Sequence, residues 1–339
     1  MLLECVPNFS EGRDALVLQD IAETIRGVPG VVLLGMDSGP TANRTVVTFA
    51  GPPEPVCEAA FLAIQTAAER IDMRKHQGAH PRIGATDVCP LVPLLDVTMA
   101  QAVAFARRLA KRAGEALSIP IYLYGHAATS PSRKHLSAIR RGGYEGLASR
   151  MRAAEGNPDF GPGTFQPGPG ATVIGARDLM IAYNINLAPG HLKLAKSIAG
   201  KIRESGQRTS EDKNPGLFRG LKAIGWHLER ENWTQVSTNI MDIAAAPIHE
   251  VYEAVKSLAK EQGVAVAGSE LVGLIPRTPL LDAGRYYQKR HPGRFDNPIQ
   301  AAVEGLGLNH AKPFHPQLHI LEESLQLPQS LLISHESRD

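Results

Sequence analysis

The sequence is poor in the features that identify several common classes of protein. Its 339 residues include only three cysteines, Cys5, Cys57 and Cys89, which are widely spaced. Such cysteines suit a reducing compartment, and they form neither a disulfide scaffold nor the paired spacing of a zinc site. No apolar run approaches the roughly 20 residues needed to cross a bilayer. The N-terminus lacks a basic stretch followed by an apolar one, so we expect no signal peptide and a cytoplasmic location.

An excess of charge of either sign is also missing. The formal net charge is +2, which argues against a protein that binds nucleic acid through bulk electrostatics. Basic residues gather between positions 201 and 222, but Glu204, Glu211 and Asp212 dilute them. This mixture favours a solvated helix end and loop. The hydrophobic fraction of 43% is ordinary for a globular protein, and the length predicts two domains or two fused half-domains.

Hydrophobic periodicity predicts the same order of elements twice. In the first half the order is β-α-β-β-α-β followed by one further helix and strand, and Asp14 and Thr98 stand where helix N-caps belong. In the second half, strands at 179–187, 221–228, 234–242 and 264–268 alternate with helices at 192–204 and 248–262. We therefore predict an α/β (α+β) protein with two ferredoxin-like β-α-β-β-α-β subdomains. Their sheets are expected to face a central ligand groove, with the helices outside.

Residues 76–85, with the sequence HQGAHPRIGA, form the most distinctive segment. Pro81 and the glycines exclude a regular helix, and the apolar content is too low for a buried strand. Such a loop is a natural place for a histidine that titrates near neutrality beside a fixed cation, while a solvated turn is the alternative. His76 and His80 have the spacing of a two-histidine metal site, but that geometry needs a helix. We therefore expect no metal.

A glycine- and proline-rich segment separates the two halves. Residues 156–170 contain glycines and prolines at most positions, together with Phe160 and Phe165. Composition alone favours a linker between domains. Two aromatic side chains are not expected in a solvated linker, where they would be exposed to water. Glycines let the backbone approach a flat ligand closely. A segment that lines a ligand groove therefore satisfies both observations.

Several segments, in order along the chain, resemble the formiminotransferase domain family. They are 4–13 (ECVPNFSEGR), 37–44 (DSGPTANR), 76–90 (HQGAHPRIGATDVCP), 158–162 (PDFGP), 170–173 (GATV), 184–186 (NIN), 235–239 (QVSTN) and 268–276 (GSELVGLIP). The resemblance implies an N-terminal subdomain over 1–177 and a C-terminal subdomain over 178–308, with folate in a groove between them. Residues 309–339 lie beyond the resemblance, and we make no prediction of the structure of this C-terminal tail.

The resemblance also implies an activity. The family transfers a formimidoyl group from N-formimino-L-glutamate to tetrahydrofolate, giving 5-formiminotetrahydrofolate and L-glutamate in histidine degradation and one-carbon metabolism. Tetrahydrofolate, with or without a polyglutamate tail, is then the co-substrate, and no metal is involved. We expect a homodimer and, because animals fuse this domain to a cyclodeaminase, a separate cyclodeaminase as a partner. N-formylglutamate as the donor, which would give 5-formyltetrahydrofolate, and a non-catalytic folate-binding protein remain alternatives.

Residue roles follow from the same resemblance. The general acid/base histidine of the family corresponds to His80, and a further folate contact corresponds to Gly216. The folate-contacting segment corresponds to Gly161, Pro162, Gly163, Thr164, Phe165, Gln166, Pro167, Gly168, Pro169 and Gly170.

Charged side chains in the matched segments suggest further roles. Asp37 is placed to orient the histidine, or it simply ends a strand in a turn. The two carboxylates of a glutamate substrate call for arginine side chains, and Arg44, Arg82 and Arg13 are the candidates. A structural ion pair is the alternative for each arginine.

Other polar residues leave two alternatives each. Asn184 and Asn186 point to one side of a strand and Ile185 to the other, so the two amides either recognise the pterin ring or occupy an exposed edge. Cys89 stands in an apolar strand, which indicates an inert buried thiol rather than a nucleophile. A metal-dependent amidohydrolase that uses His76, His80 and Asp87 is a third class of function.

Overall fold

The computed structural model describes residues 1–153, 156–208, 213–229 and 232–326. Glu211 and Asp212, and the part of the expected tail beyond residue 326, lie outside the described residues. The chain divides into two compact units, Met1–Leu179 and Met180–Asp339, and each has its own sheet and its own hydrophobic core. None of the helices in the described segments combines the length and the apolar composition needed to span a membrane.

The first unit contains seven strands and five helices among its described residues. The strands are β1 (Leu2–Cys5), β2 (Asn8–Phe9), β3 (Val32–Gly39), β4 (Arg44–Gly51), β5 (Thr86–Leu95), β6 (Ile121–Gly125) and β7 (Thr172–Ala176). The helices are α1 (Ala15–Arg26), α2 (Pro53–Arg70), α3 (Met99–Leu117), α4 (Leu136–Ile139) and α5 (Leu147–Arg150), with a 3₁₀ turn at Pro131–Arg133.

The sheet of the first unit extends a ferredoxin-like arrangement by two strands. β1 and β2 both lie between β4 and β5, and β3 pairs with the outer side of β4. These strands run antiparallel, as a split β-α-β unit requires. β7 then pairs parallel with both β5 and β6, so it lies inside the sheet although it follows β6 in the chain. The periodicity did not predict β7, because its five residues are buried and show no polar alternation.

Alternation along the strands gives this sheet two different faces. One face packs against α1, α2 and α3 through a core that includes Phe9, Phe49 and Cys89. On the opposite face, part of the surface is covered by a smaller apolar cluster around Tyr122 and Leu147. The rest of that face bears polar residues. They alternate with core residues along the strands and therefore point away from the core.

The second unit has the predicted split β-α-β order with extra helices after it. Its strands are β8 (Ile181–Leu187), β9 (Gln207–Arg208), β10 (Lys213–Asn214), β11 (Leu221–Leu228), β12 (Trp233–Ile240) and β13 (Val266–Val272). Its helices are α6 (Leu192–Ile202), α7 (Ile248–Lys260), α8 (Arg277–Arg290), α9 (Pro298–Leu306), α10 (Pro316–His319) and α11 (Leu321–Ser324). The main sheet has the antiparallel order β11-β12-β8-β13, and β9 and β10 form a separate pair. The predicted fold class is confirmed.

The helices after β13 were not predicted. In α8 the buried residues Leu280, Ala283, Gly284 and Tyr287 follow the spacing of one helical face, and this was the available signal. Within the expected tail, α10 and α11 pack onto the second unit, where Ile320 pairs with Ile275 and is fully buried. The described part of that tail is therefore part of the folded unit.

Both predicted helix caps are present. The Asp14 carboxylate accepts hydrogen bonds from the backbone amides of Leu16 and Val17, so it caps α1. Thr98 caps α3 in a capping box, in which its hydroxyl accepts from the Gln101 amide and the Gln101 side chain accepts from the Thr98 amide. These bonds satisfy amide donors that the first turn of a helix leaves unpaired.

We expect Thr98→Ala to lower the free energy of unfolding by about 1 kcal/mol, because the variant loses the hydroxyl that closes the capping box. Urea denaturation followed by circular dichroism measures this change, and Thr98→Ser, which keeps a capping hydroxyl, is the matched control. An alanine variant that unfolds at the same urea concentration as wild type contradicts the prediction.

Candidate active site

The loop that carries His80 is held against the turn between β3 and β4. The Ala79 amide donates to the Thr41 carbonyl (3.2 Å), and the Asn43 side chain donates to the Gln77 carbonyl (2.9 Å). At Gly78 a Cβ atom would lie 2.3 Å from the Ala42 carbonyl oxygen, so only glycine permits this approach. The packing brings together two of the segments that the sequence singled out, 37–44 and 76–85.

His80 contacts Arg44 at the centre of this packing. Arg44 Nη1 lies 2.8 Å from His80 Nε2 and 3.2 Å from Asn8 Oδ1. A guanidinium group only donates hydrogen bonds, so His80 Nε2 accepts and the ring proton is on Nδ1. Among the described residues, no partner accepts a hydrogen bond from the buried Nδ1. The structure therefore fixes one neutral tautomer of His80.

Positive charge and burial oppose protonation of this histidine. Burial is the largest cause and Arg44 the next, and together with Arg140 and Arg82 they lower the pKa of His80 to about 2. Burial and the charge of Arg140 also lower the pKa of Arg44 to about 10. Cations held close together without full compensation form a natural site for an anion. The resting histidine is thus a neutral base next to such a site.

Asp37 acts on Arg44. Asp37 is on β3, where it stands opposite Val46 of β4 and on the same face of the sheet as Arg44. Its charge opposes the lowering of the Arg44 pKa. Its charge therefore helps to keep protonated the guanidinium group that contacts His80. Asp37 and His80 both interact with Arg44, and the hypothesis that Asp37 orients the histidine stays a prediction.

The other two candidate arginines have different surroundings. Arg82 donates from Nε to His76 Nδ1 (3.0 Å) and makes a two-pronged ion pair with Glu145 (2.7 and 2.9 Å). Arg13 is exposed, and its Nε donates to the Pro40 carbonyl (2.9 Å). Only Arg44 of the three arginines contacts His80.

His76 is tied to the protein framework. Its Nε2 lies 2.9 Å from the Asn43 carbonyl oxygen, and its Nδ1 accepts from Arg82, so both ring nitrogens are engaged. Burial is the main cause that lowers the pKa of His76. These contacts make His76 a support of the loop rather than a group that is open to substrate.

The glycine-rich segment belongs to the first unit and is not a tether between the units. Gly170 pairs with Gly84, the Ala85 amide donates to the Pro169 carbonyl (2.8 Å), and the Ala171 amide donates to the Ile83 carbonyl (3.0 Å). The segment is therefore fastened to the end of the loop that carries His80. At Gly163 and Gly168 a Cβ atom would meet no atom within 4 Å, so the backbone there is open to a ligand.

Aromatic and backbone contacts fix the middle of this segment. The Tyr144 hydroxyl donates to the Pro167 carbonyl (2.6 Å), and the rings of Tyr144 and Phe165 lie 5.5 Å apart. Gly161 and Gly170 have φ of 79° and 68°, in the left-handed region that favours glycine. Gly161 and Gly170 thus permit the left-handed backbone conformation of this segment, whereas Gly163 and Gly168 leave its backbone open.

Asp87 and Arg140 form a buried ion pair next to the site. Asp87 is 1% exposed, its Oδ1 accepts from the Ile83 amide (3.0 Å), and its Oδ2 pairs with Arg140. Arg140 therefore forms an ion pair with the carboxylate that the amidohydrolase hypothesis would assign to a metal. In the described ranges, no group of three or more His, Cys, Asp or Glu side chains has the geometry of a metal site.

Three polar residues near the site were not among the sequence candidates. Asn8 and Glu4 lie on the same face of the sheet as Arg44, and Arg140 contributes charge from a distant segment. Burial raises the pKa of Glu4 to about 7 although Arg177 opposes the change. The alternation of Leu3, Glu4 and Cys5 was the signal for Glu4, whereas no local pattern marks Arg140.

In the second unit Asn184 and Asn186 do point away from the core and Ile185 into it, as the strand alternation predicted. They share a hydrogen-bonded cluster with side chains of β12 and β13. Gly216 lies in a tight approach to the end of α6, where a Cβ atom would meet the Arg203 carbonyl oxygen at 1.8 Å. Backbone packing alone therefore requires glycine at position 216.

Comparison with known proteins agrees with these segments. Residues 2–177 match the formiminotransferase domain, N-terminal subdomain, and residues 182–326 match the formiminotransferase domain. The chain belongs to the formiminotransferase domain family. The two matched regions fall within the two compact units.

Individual relatives cover the chain to different extents. Formimidoyltransferase-cyclodeaminase of Rattus norvegicus is 46% identical over 95% of this chain, which spans 59% of the length of that relative. Glutamate formimidoyltransferases of Streptococcus pyogenes serotype M1 and Thermoplasma acidophilum are 39% and 43% identical over 84% of this chain. The matches cover 93% and 92% of those two proteins.

We expect Arg44→Gln to raise the pKa of His80, because the substitution removes the nearest positive charge. A titration of the ring signals by nuclear magnetic resonance measures the shift. In wild type the ring should remain neutral down to well below pH 6.5. Arg13→Gln is the matched control, since Arg13 is exposed and is not among the causes of the His80 shift. A wild-type pKa near 6.5, or no change in the Arg44 variant, contradicts the prediction.

Proposed function

We propose that this protein is a glutamate formimidoyltransferase. It transfers the formimidoyl group of N-formimino-L-glutamate to tetrahydrofolate, giving 5-formiminotetrahydrofolate and L-glutamate. The observation that carries the proposal is neutral His80, held at Nε2 by Arg44 in a loop bonded to the open glycine-rich segment. The two relatives named glutamate formimidoyltransferase, matched over more than nine-tenths of their length, support the same activity.

The reaction needs one group that both accepts and returns a proton. The N5 atom of tetrahydrofolate attacks the amidine carbon of the donor and forms a tetrahedral adduct. Once Arg44 turns from His80 Nε2 to a carboxylate of the donor, that nitrogen takes the proton from N5 and then gives it to the departing nitrogen of glutamate as the carbon–nitrogen bond breaks. Positioned proton transfer of this kind typically contributes about 10²–10⁴ in rate.

The cations around His80 give the donor a role in setting its basicity. A carboxylate of the donor that binds at Arg44 compensates the positive charge that lowers the pKa of His80. Donor binding then raises the pKa of His80 toward the neutral range, where it shuttles a proton efficiently. Asp37 keeps Arg44 cationic and therefore able to bind that carboxylate, since its charge opposes the lowering of the Arg44 pKa.

Other residues complete the proposed binding of the two substrates. Arg44 and Arg13 bind the glutamate carboxylates, and Arg82 joins them by exchanging the exposed Glu145 for a substrate carboxylate. The segment 161–170, Asn184, Asn186 and Gly216 contact tetrahydrofolate. The open backbone at Gly163 and Gly168 supports this assignment.

The proposal extends to the setting of the enzyme. We place the reaction in histidine degradation and one-carbon metabolism, in the cytoplasm, with a separate cyclodeaminase as the enzyme that consumes the product. We also propose a homodimer. Sedimentation or light scattering of the purified protein tests the oligomeric state.

We expect His80→Ala to reduce kcat for transfer by about 10²-fold or more, with folate affinity retained, because only proton transfer is lost. Steady-state kinetics with N-formimino-L-glutamate and tetrahydrofolate measures the rate. Calorimetry with 5-formyltetrahydrofolate measures the affinity. His126→Ala is the matched control, since His126 is an exposed histidine of the same unit that pairs with Asp178.

The same assay distinguishes the competing functions. N-formylglutamate is run beside the formimino donor, and a wild-type enzyme that uses only the formyl donor contradicts the proposed substrate. Dialysis against a chelator should leave the rate unchanged, whereas a loss restored by added zinc supports the metal-dependent alternative. A protein that binds folate but transfers from neither donor is the non-catalytic alternative.

The pH dependence tests the link between donor binding and the basicity of His80. The acid limb of kcat reports the enzyme–substrate complex and that of kcat/KM the free enzyme. We expect the complex to lose activity at a higher pH than the titration of His80 in the free enzyme, since bound carboxylates raise the pKa of His80. The link is contradicted if the acid limb of the kcat profile lies at the pH at which His80 titrates in the free enzyme.

A further inference from the structure

A cluster of polar side chains covers the face of the second sheet that points away from its helices. Asn184 and Asn186 of β8 lie between Gln235 of β12 and Glu270 of β13, with Trp226 of β11 beyond Gln235. Glu270 stands opposite Asn184, and Gln235 stands opposite Asn186. We call these five residues the amide cluster.

Hydrogen bonds hold the centre of the amide cluster in one arrangement. Gln235 Nε2 donates to Asn186 Oδ1 (2.8 Å) and to Glu270 Oε1 (2.7 Å), and Gln235 Oε1 accepts from Trp226 Nε1 (3.0 Å). Asn184 Nδ2 donates to the same Glu270 oxygen (3.2 Å). The Gln235 amide thus uses both of its donor hydrogens and its acceptor oxygen within the cluster, and it is 1% exposed. Its orientation is fixed before any ligand arrives.

Two polar atoms of the amide cluster have no hydrogen-bond partner among the described residues. Asn186 is fully buried, yet its Nδ2 donates to no partner in the described part of the chain. Both hydrogen bonds to Glu270 go to Oε1, which leaves Oε2 as an acceptor, and the described residues place no cation within ion-pair distance of this carboxylate. A buried donor without a partner costs about 1–3 kcal/mol, so an apolar residue would be favoured at position 186 unless a ligand pays that cost.

These two groups define the chemistry of a ligand that would complement them. Glu270 offers a negatively charged acceptor, and Asn186 offers a neutral donor next to it. Their complement is a planar edge with N–H donors beside a carbonyl oxygen. The 2-amino-4-oxo edge of a pterin has this pattern, because its 2-amino and N3 hydrogens adjoin its 4-oxo oxygen. Glu270 and Trp226 are half-buried, so the cluster reaches the surface at both ends.

We propose that Glu270 and Asn186 recognise the 2-amino-4-oxo edge of tetrahydrofolate, and that Gln235 is the positioning residue that aims both side chains. Glu270 accepts from the 2-amino group and N3, and Asn186 Nδ2 donates to the 4-oxo oxygen. This inference rests on the proposed function only for the identity of the folate.

The donor substrate is a poorer match for the same groups. Its amidine group, when protonated, offers only N–H donors, so Asn186 Nδ2 would stay unsatisfied. Its carboxylates would also lie near the negative charge of Glu270. The pterin edge satisfies both available groups, whereas the amidine satisfies one.

The experiment compares two ligands on one pair of variants. Calorimetry measures the Kd of 5-formyltetrahydrofolate and of its analogue with a methyl group in place of the 2-amino group. We expect wild type to bind the analogue about 10- to 100-fold more weakly, since a charge-assisted hydrogen bond is lost. Glu270→Gln should weaken binding of 5-formyltetrahydrofolate by a similar factor and bind both ligands about equally. Glu261→Gln, which removes an exposed carboxylate of the same unit, should behave as wild type.

A second variant keeps the test decisive if Glu270→Gln does not fold. Asn186→Ala removes the unsatisfied donor, and we expect about 10-fold weaker binding of 5-formyltetrahydrofolate with preserved discrimination at the 2-amino group. Folding of each variant is checked by its thermal transition. Unchanged affinity and unchanged discrimination in the folded variants overturn the proposal.

Kinetics separates this proposal from the proposed function. In an active enzyme, Glu270→Gln should raise KM for tetrahydrofolate about 10-fold or more and leave KM for the formimino donor near its wild-type value. A rise confined to KM of the donor assigns Glu270 to the other substrate and overturns the pterin assignment. If wild type transfers from neither donor, the proposed function fails, while the binding measurements still decide the pterin site.

Discussion

The contact between Arg44 and His80 is the interaction on which the candidate site depends. It fixes the histidine as a neutral ring protonated at Nδ1, and burial with nearby cations keeps it neutral. The contact exists because two loops meet, and that meeting requires glycine at position 78. Asn8 holds the same guanidinium nitrogen from β2. The site is therefore set by backbone packing as much as by the side chains that perform chemistry.

The two units share a four-stranded split β-α-β arrangement, which β6 and β7 extend in the first unit, but they offer different chemistry on their polar faces. The first concentrates arginine side chains around a histidine, which suits an anionic substrate and proton transfer. The second presents uncharged amides and one carboxylate, which suit a planar ring with hydrogen-bond donors. Both faces arise from the same alternation, because one side of each sheet is committed to a core of helices and the other is left for function.

Local rules explain the parts of the structure that the sequence predicted. Asp14 and Thr98 cap their helices because the bonding partners lie within three residues. The side of the strand on which Asn184 and Asn186 lie follows from alternation alone. Distant partners explain the rest. Arg140 reaches Asp87 across 53 residues and Glu270 reaches Asn184 across 86, so no window of sequence contains either pair. The strand β7 was not predicted, because a buried central strand has no polar alternation.

A neutral resting histidine reconciles two demands of the proposed reaction. The group must be unprotonated when N5 attacks, yet it must hold a proton long enough to deliver it to the leaving nitrogen. In the proposed reaction, the arginines that keep His80 neutral in the free protein are also the groups that would attract an anionic donor. Once carboxylates compensate that charge, the imidazolium formed by the attack is tolerated, and it can return its proton. In the proposed reaction the same cations keep His80 neutral before the donor binds and, once their charge is compensated, allow it to act first as the base and then as the acid within the complex, so the proposal needs no second titrating group.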